Sequence, residues 1–322
     1  MLCVLVFYIH SYNLEVYGLT QWDNKFELVI IGVENYVFAL AQIAVPGFFM
    51  ISGFLFFRNF HLSELIGKWK RRIRTILIPY FVWCSIYYLY CVGYTNLPII
   101  NRIVHSSQID FSVVEWIKWL WPNSYYTLWF LKALIILIVL TPVEWLVLKN
   151  HWQKIPTGLI VLVIIWLWSY DNTVSNPFPE GLPYYAVGAY IGLNHSSVVY
   201  KKTNWLSIIA ILFVILQFAT DFYYYNNLGK ALIVVAIWLG MDMLPRDVKS
   251  KKWMRWTFFY YVAHDMVLEV IEKIWYLVLG NTNMGAFTDF IIAPLVTLGI
   301  LVFVSSILSK RLPKTWKILT GR

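Results

Sequence analysis

The chain has 322 residues, of which 60% are hydrophobic, 19% aromatic and 13% charged, with a mean hydropathy of +0.63. Soluble domains average about 25% charged residues. This composition therefore excludes a soluble globule, which would lack the polar groups to cover its surface, and its aromatic content excludes a disordered chain.

A bilayer core needs about 20 mainly apolar residues per helix. Met1 to Ile9 is apolar, and His10-Ser11-Tyr12-Asn13 follows at once. Ten residues rise only about 15 Å, half of the roughly 30 Å needed. With no basic start and no small-residue cleavage site, the segment does not read as a signal peptide. It reads as the outer half of a first helix that is truncated at its start. Leu28–Leu40, with Glu34, Asn35 and Tyr36, reads as an amphipathic or re-entrant helix over the outer face. Apolar runs follow near 41–57, 75–93, 125–148, 155–170, 182–193, 205–221, 228–244, 257–279 and 287–308. The run at 182–193 is short and glycine-rich. The expected architecture is all-α: one domain over 1–322, a multi-pass membrane protein of about ten transmembrane helices.

The balance of 26 basic against 17 acidic residues gives +9, and its distribution orients the chain. Alternating from a cytosolic N-terminus, the inner loops receive Arg58, Lys68, Lys70, Arg71, Arg72 and Arg74, then Lys149 and Lys154, then Lys201 and Lys202. Arg246, Lys249, Lys251, Lys252 and Arg255 follow, and finally Lys310, Arg311, Lys314, Lys317 and Arg322. Only Lys25, Arg102 and Lys118 fall on outer loops. Both termini are thus expected in the cytosol, in a plasma or inner membrane. The positive excess is a topology signal and partly a contact with anionic membrane lipids, not a nucleic-acid patch. The outer stretch 94–124 carries Trp116, Trp119 and Trp121 with Lys118, which suits an interfacial aromatic belt or a cap over an acceptor site. The sequon Asn194-His195-Ser196 falls on an inner loop, where it carries no glycan signal.

Ionisable groups inside membrane helices are costly and default to functional hypotheses. His10, at a helix end, titrates in the range suited to a general base, although a histidine there is also simply solvated. Helix 257–279 is the most polar, with His264, Asp265, Glu269, Glu272 and Lys273. Glu269 and Lys273 have the favourable i,i+4 order for an ion pair, and His264 is placed to face a cavity. Glu34, Glu144 and Asp242 read as interfacial or packing residues. Lys132 lies roughly 10 Å into its helix, where it either snorkels outward or holds a carbonyl or acceptor oxygen. Tyr12, Trp83 and Trp129 have rings suited to stacking on a sugar. Ser52-Gly53 suits close helix packing, since no nucleophile elbow surrounds it. Cys3, Cys84 and Cys91 form no disulfide framework and no metal cluster, so no metal is expected.

Several blocks of sequence carry a resemblance. His10-Ser11 after an apolar run, Val45-Pro46-Gly47-Phe48-Phe49-Met50-Ile51-Ser52-Gly53-Phe54-Leu55, and Lys70-Arg71-Arg72-Ile73-Arg74 followed by Ile78-Pro79-Tyr80-Phe81-Val82-Trp83 come first. Leu128-Trp129-Phe130-Leu131-Lys132-Ala133-Leu134, Tyr184-Tyr185-Ala186-Val187-Gly188 and Phe258-Phe259-Tyr260-Tyr261-Val262-Ala263-His264 continue in order along the chain. Together they resemble the acyltransferase-3 family of integral-membrane O-acyltransferases. The resemblance implies transfer of an acyl group, usually acetyl, from cytosolic acyl-CoA to a hydroxyl of a cell-envelope glycan or lipid-linked sugar. No cofactor is bound permanently; acyl-CoA (acetyl-CoA) is a co-substrate. The family's Arg-x10-His places its histidine at His10, with its arginine falling before Met1. Its Arg-x-x-Arg matches Arg71 and Arg74.

The residues suit these roles. Transfer to a hydroxyl needs a base, which His10 can be. The phosphates of acyl-CoA favour guanidinium groups, and Arg71 and Arg74 can share one helix face, though both also serve as inner-face charges. Lys132, Trp129, His264 and Tyr12 are the expected acceptor contacts. The competing readings are a transporter or flippase of a lipid-linked glycan, for which no internal repeat is visible, and an inactive truncated relative.

Overall fold

A computed structural model describes residues 2–19, 25–96, 108–121, 124–149, 177–193, 212, 230, 233–237 and 251–322. The expected runs at 155–170 and, for the most part, 205–221 and 228–244 lie outside them. So do Arg102, Lys154, the sequon at Asn194, Lys201, Lys202, Asp242, Arg246 and Lys249.

Every regular element among the described residues is helical. In chain order these are α1 (Leu2–His10), α2 (Lys25–Ala41), α3 (Ala44–Phe57), α4 (Leu65–Arg72), a π-helical turn (Ile73–Leu77) and α5 (Ile78–Asn96). Then come α6 (Val113–Leu120), α7 (Trp129–Val139), α8 (Thr141–Leu148), α9 (Pro177–Leu193), α10 (Thr257–Leu279), α11 (Asn283–Arg311) and α12 (Pro313–Thr320).

Among the described residues, three helical stretches are long and apolar enough to cross a bilayer: Lys25–Phe57, Leu62–Asn96 and Asn283–Arg311. Tyr126–Val139 and Thr141–Leu148, bent by 65°, make a fourth if taken as one broken span. Helix α10 is about 34 Å long by its rise, but Asp265, Glu269, Glu272 and Lys273 make it too polar for the same class.

Prolines explain the breaks. Pro142 has no N–H for the carbonyl of Ile138, four residues back. That carbonyl instead accepts from Thr141 Oγ1 at 2.6 Å and from Trp69 Nε1 of α4 at 2.8 Å, which holds the bend. Pro46 likewise leaves the carbonyl of Gln42 without its helical donor, and the turn between α2 and α3 falls at Gln42 and Ile43. The expected separate helix over the outer face is therefore the first part of one 33-residue stretch interrupted only by that turn.

The glycine-rich run becomes α9, which lies backbone to backbone against α3. A Cβ on Gly188 would stand 1.9 Å from the Met50 carbonyl oxygen, and one on Gly53 would stand 2.1 Å from that of Tyr185. Gly53 is thus a packing residue, as its small size suggests. The core is aromatic, with Phe7, Phe49, Phe57, Tyr80, Tyr87, Tyr185 and Tyr260 all fully buried. Cys3, Cys84 and Cys91 are free and buried.

Candidate functional site

Helix α1 runs beside the first half of α10. Cys3 Sγ lies 3.7 Å from the Thr257 carbonyl, and the Phe7 ring stacks on His264 with centroids 5.0 Å apart and 7° between planes. The short first helix read from the sequence is thus packed along the start of α10. His10 closes α1 inside the bundle, level with a point about 10 Å from the start of α10 and more than 20 Å from its end.

Here three polar groups meet. Tyr126 Oη lies 2.9 Å from Asp265 Oδ1 and 3.2 Å from His10 Nδ1, and His10 Nδ1 is 3.8 Å from the same carboxylate oxygen. One set of directions satisfies all three groups. The Nδ1–H of His10 donates to Tyr126, and the Tyr126 hydroxyl donates to Asp265. His10 Nε2 is then left as an acceptor, because the tautomer follows from the bond the other nitrogen makes.

His264 is entirely buried, with Nδ1 2.5 Å from the Tyr261 carbonyl and Nε2 without a partner. Its ring centroid is 5.0 Å from that of His10. Potential metal-ligand atoms of His10, His264 and Asp265 all lie within 4.8 Å of one another. Two imidazoles and a carboxylate form a donor set that suits zinc, although no metal was expected from the sequence.

His10 also borders a cavity of about 120 Å³, walled by Gln42, Phe49, Trp129, Tyr184 and Lys230 among others. Water occupies about 30 Å³ per molecule in the liquid, so the space suits a small group. Trp129 and His10 therefore line one cavity, while His264 packs against His10 from outside its lining.

Tyr12 and Lys132 point elsewhere. The Tyr12 hydroxyl donates to Asn35 Oδ1 at 2.8 Å, and its ring rests on Phe38 with centroids 4.6 Å apart. Lys132 Nζ donates to the Trp121 carbonyl at 2.6 Å and sits 5.5 Å from that indole centroid. Glu269 and Lys273 form the expected ion pair at 2.6 Å, and Tyr90 donates to the same carboxylate at 3.0 Å. Glu34 and Glu144, read from the sequence as interfacial or packing residues, are both buried.

Sequence reasoning missed Tyr126, one of 22 tyrosines, and placed Asp265 on the most polar helix without joining it to His10. The available signal was Asp265 following His264 directly on the most polar helix. A second polar layer was also missed. Asn13 Nδ2 and Tyr17 Oη each lie 3.3 Å from Asp289 Oδ2, and the Asn13 N–H faces Glu34 Oε2 at 3.5 Å.

Arg71 and Arg74 lie at another place, a groove of about 870 Å³ that they line with Lys70, Lys317 and Arg322. The opposite side of α4 is committed to packing. Lys68 Nζ donates to the Phe56 carbonyl at 2.6 Å, and the Arg72 guanidinium lies 5.7 Å from the Phe56 ring centroid. No salt bridge among the described residues takes up Arg71 or Arg74. Arg74 sits in the π-helical turn, a distortion that frequently accompanies functional sites.

The groove and the cavity are separate. From Arg74 to Tyr87, whose hydroxyl donates to the Val262 carbonyl at 3.0 Å near His264, the chain rises about 20 Å.

No curated protein and no solved structure matches the chain. The profile of the acyltransferase-3 family, described as an acyltransferase domain, matches residues 1–309. An all-helical chain with apolar helices of membrane length, matched over nearly all its residues, belongs to the acyltransferase-3 family, and that family points to a membrane acyltransferase.

Proposed function

We propose that the protein moves an acyl group, most simply acetyl, from acyl-CoA to a hydroxyl of a cell-envelope glycan or lipid-linked sugar. His10 is the general base. As the acceptor oxygen attacks the thioester carbonyl, its proton passes to His10 Nε2. The tetrahedral intermediate collapses with cleavage of the C–S bond, and the proton leaves with the CoA thiol. Asp265 orients His10 through Tyr126 and offsets the charge that develops on the imidazole.

Arg71 and Arg74 hold the CoA phosphates, and the flexible arm of the donor carries the thioester inward to the cavity. Trp129 lines that cavity, whose size suits a short acyl chain, and His264 backs the His10 ring from inside the bundle. In this reading, Tyr12 and Lys132 act outside it, on the acceptor. The chain has about ten spans with both termini cytosolic in a plasma or inner membrane, as the basic residues suggest. No permanently bound cofactor is required.

The observation that carries this reading is the hydrogen-bonded line His10–Tyr126–Asp265 at the edge of the cavity. Its test is transfer of label from [acetyl-¹⁴C]acetyl-CoA to envelope carbohydrate, using membranes with and without the protein. Chain-dependent labelling that mild base releases as acetate is expected, since that marks an O-ester. Equal labelling in both membranes overturns the proposal.

A further inference from the structure

The family match stops at residue 309, yet the basic groove is completed by residues beyond it. Helix α12 (Pro313–Thr320) returns against the foot of α5. Trp83 Nε1 donates to the Leu319 carbonyl at 3.0 Å, and Trp316 packs against Phe259 and Trp256 with centroids 4.9 Å away from each. The helix ends on Gly321, at φ +68°, which lies directly on Thr75: a Cβ there would be 2.4 Å from the Thr75 carbonyl oxygen. That carbonyl has lost its helical donor, because Pro79 stands four residues on, and the π-helical turn occupies the same stretch. The distorted segment that carries Arg74 is thus the surface on which α12 docks.

Docking sets cations from both ends of the chain around one groove. Lys70, Arg71 and Arg74 come from α4 and the π-helical turn, and Lys317 and Arg322 come from α12 and the residues after it. Arg322 is held in place, with Nη2 donating to the Arg255 carbonyl at 2.5 Å and the guanidinium 5.0 Å from the Trp256 ring centroid. Lys317 stands exposed on the same wall.

We infer that Lys317 and Arg322 form the second wall of the phosphate site, so that acyl-CoA is held between α4 and α12 rather than on Arg71 and Arg74 alone. CoA carries phosphate charge at two places, the pyrophosphate and the ribose 3′-phosphate. Two arginines three residues apart reach one of these, and cations facing them across the groove reach the other. This rests on the assignment of Arg71 and Arg74 to acyl-CoA proposed above. The shared chemistry is recognition of phosphate, which the headgroup of an anionic lipid also carries.

The test is CoA binding by calorimetry to the full chain in nanodiscs, once with phosphatidylcholine alone and once with added phosphatidylglycerol. In phosphatidylcholine discs, K317A/R322A weakens CoA by about tenfold or more, the worth of one or two charge-assisted contacts. K317R with Arg322 intact keeps wild-type affinity, and G321A, which retains every charge but displaces α12, weakens CoA as well. Unchanged CoA affinity in K317A/R322A, with affinity lost in R71A/R74A, overturns the inference and leaves the acyl-CoA reading standing. Unchanged affinity in both double variants overturns that reading too. If the α12 variants lose binding to phosphatidylglycerol but keep CoA in phosphatidylcholine discs, α12 is a lipid contact and the inference fails.

Discussion

His10 has its tautomer set by a phenol rather than directly by a carboxylate. Tyr126 stands between the imidazole and Asp265, at 3.2 and 2.9 Å, while the direct separation is 3.8 Å. Removing the carboxylate charge therefore weakens the line without emptying it. Hydrogen bonds to charged groups contribute about 1.5–3 kcal/mol, so D265N is expected to lower kcat by roughly 10- to 100-fold. KM for acyl-CoA, whose proposed phosphate site lies some 20 Å away, is expected to stay close to wild type. Steady-state kinetics on matched membrane preparations checks this. A rise in KM with kcat preserved would assign Asp265 to substrate binding instead. Because the residues act as a unit, H10A/D265N is expected to be no slower than H10A. His10 was visible in the sequence because a polar residue closing an apolar run stands out. Tyr126 was not, because its role depends on bringing residues 10, 126 and 265 to one point.

Helices were legible wherever the apolar run was long, as at 287–308 within α11 and 257–279 at α10. Where a short motif carried the geometry, the helix was legible and its packing was not. The glycines at 181, 188 and 192 look like a weak span by length, but they let α9 approach α3 more closely than side chains allow. Pro46 and Pro142 appear in the sequence as residues within apolar runs, and only the fold shows which donors take up the Ile138 carbonyl that Pro142 releases. This packing gives a graded prediction. G188A places a Cβ 1.9 Å from the Met50 carbonyl and is expected to destabilise by about 1–3 kcal/mol, as overpacking does. G32A and G93A meet nothing within 4 Å in their helices and are expected to be neutral or stabilising by about 0.5–1 kcal/mol. Thermal unfolding in one detergent orders the three variants. Equal melting temperatures for G188A and G93A would contradict the close α3–α9 contact.

At the scale of the whole molecule, the basic residues of α4, the π-helical turn and the C-terminal end divide into two kinds. Lys68 and Arg72 are spent on Phe56, whereas Lys70, Arg71, Arg74, Lys317 and Arg322 gather on one groove. Arg71 and Arg74 could be singled out by their match to the Arg-x-x-Arg motif of the family they resemble. The contribution of Lys317 and Arg322 could not, because it arises from a contact between residues more than two hundred positions apart. Exposed cations are screened over about 8–10 Å at physiological salt, so CoA affinity is expected to fall as sodium chloride rises from 50 to 500 mM. The salt dependence should be shallower in R71A/R74A; a flat wild-type response would show that phosphate contacts do not drive binding.

In the proposed reaction the groove holds acyl-CoA, and His10, inside the bundle, takes the proton of the acceptor hydroxyl. The most direct measurement is the initial rate of acetyl transfer from [acetyl-¹⁴C]acetyl-CoA to envelope carbohydrate by H10A membranes, with protein level and CoA affinity matched to wild type. Loss of a general base predicts a fall of about 10²- to 10⁴-fold with CoA binding intact. Transfer by H10A at the wild-type rate would contradict the account.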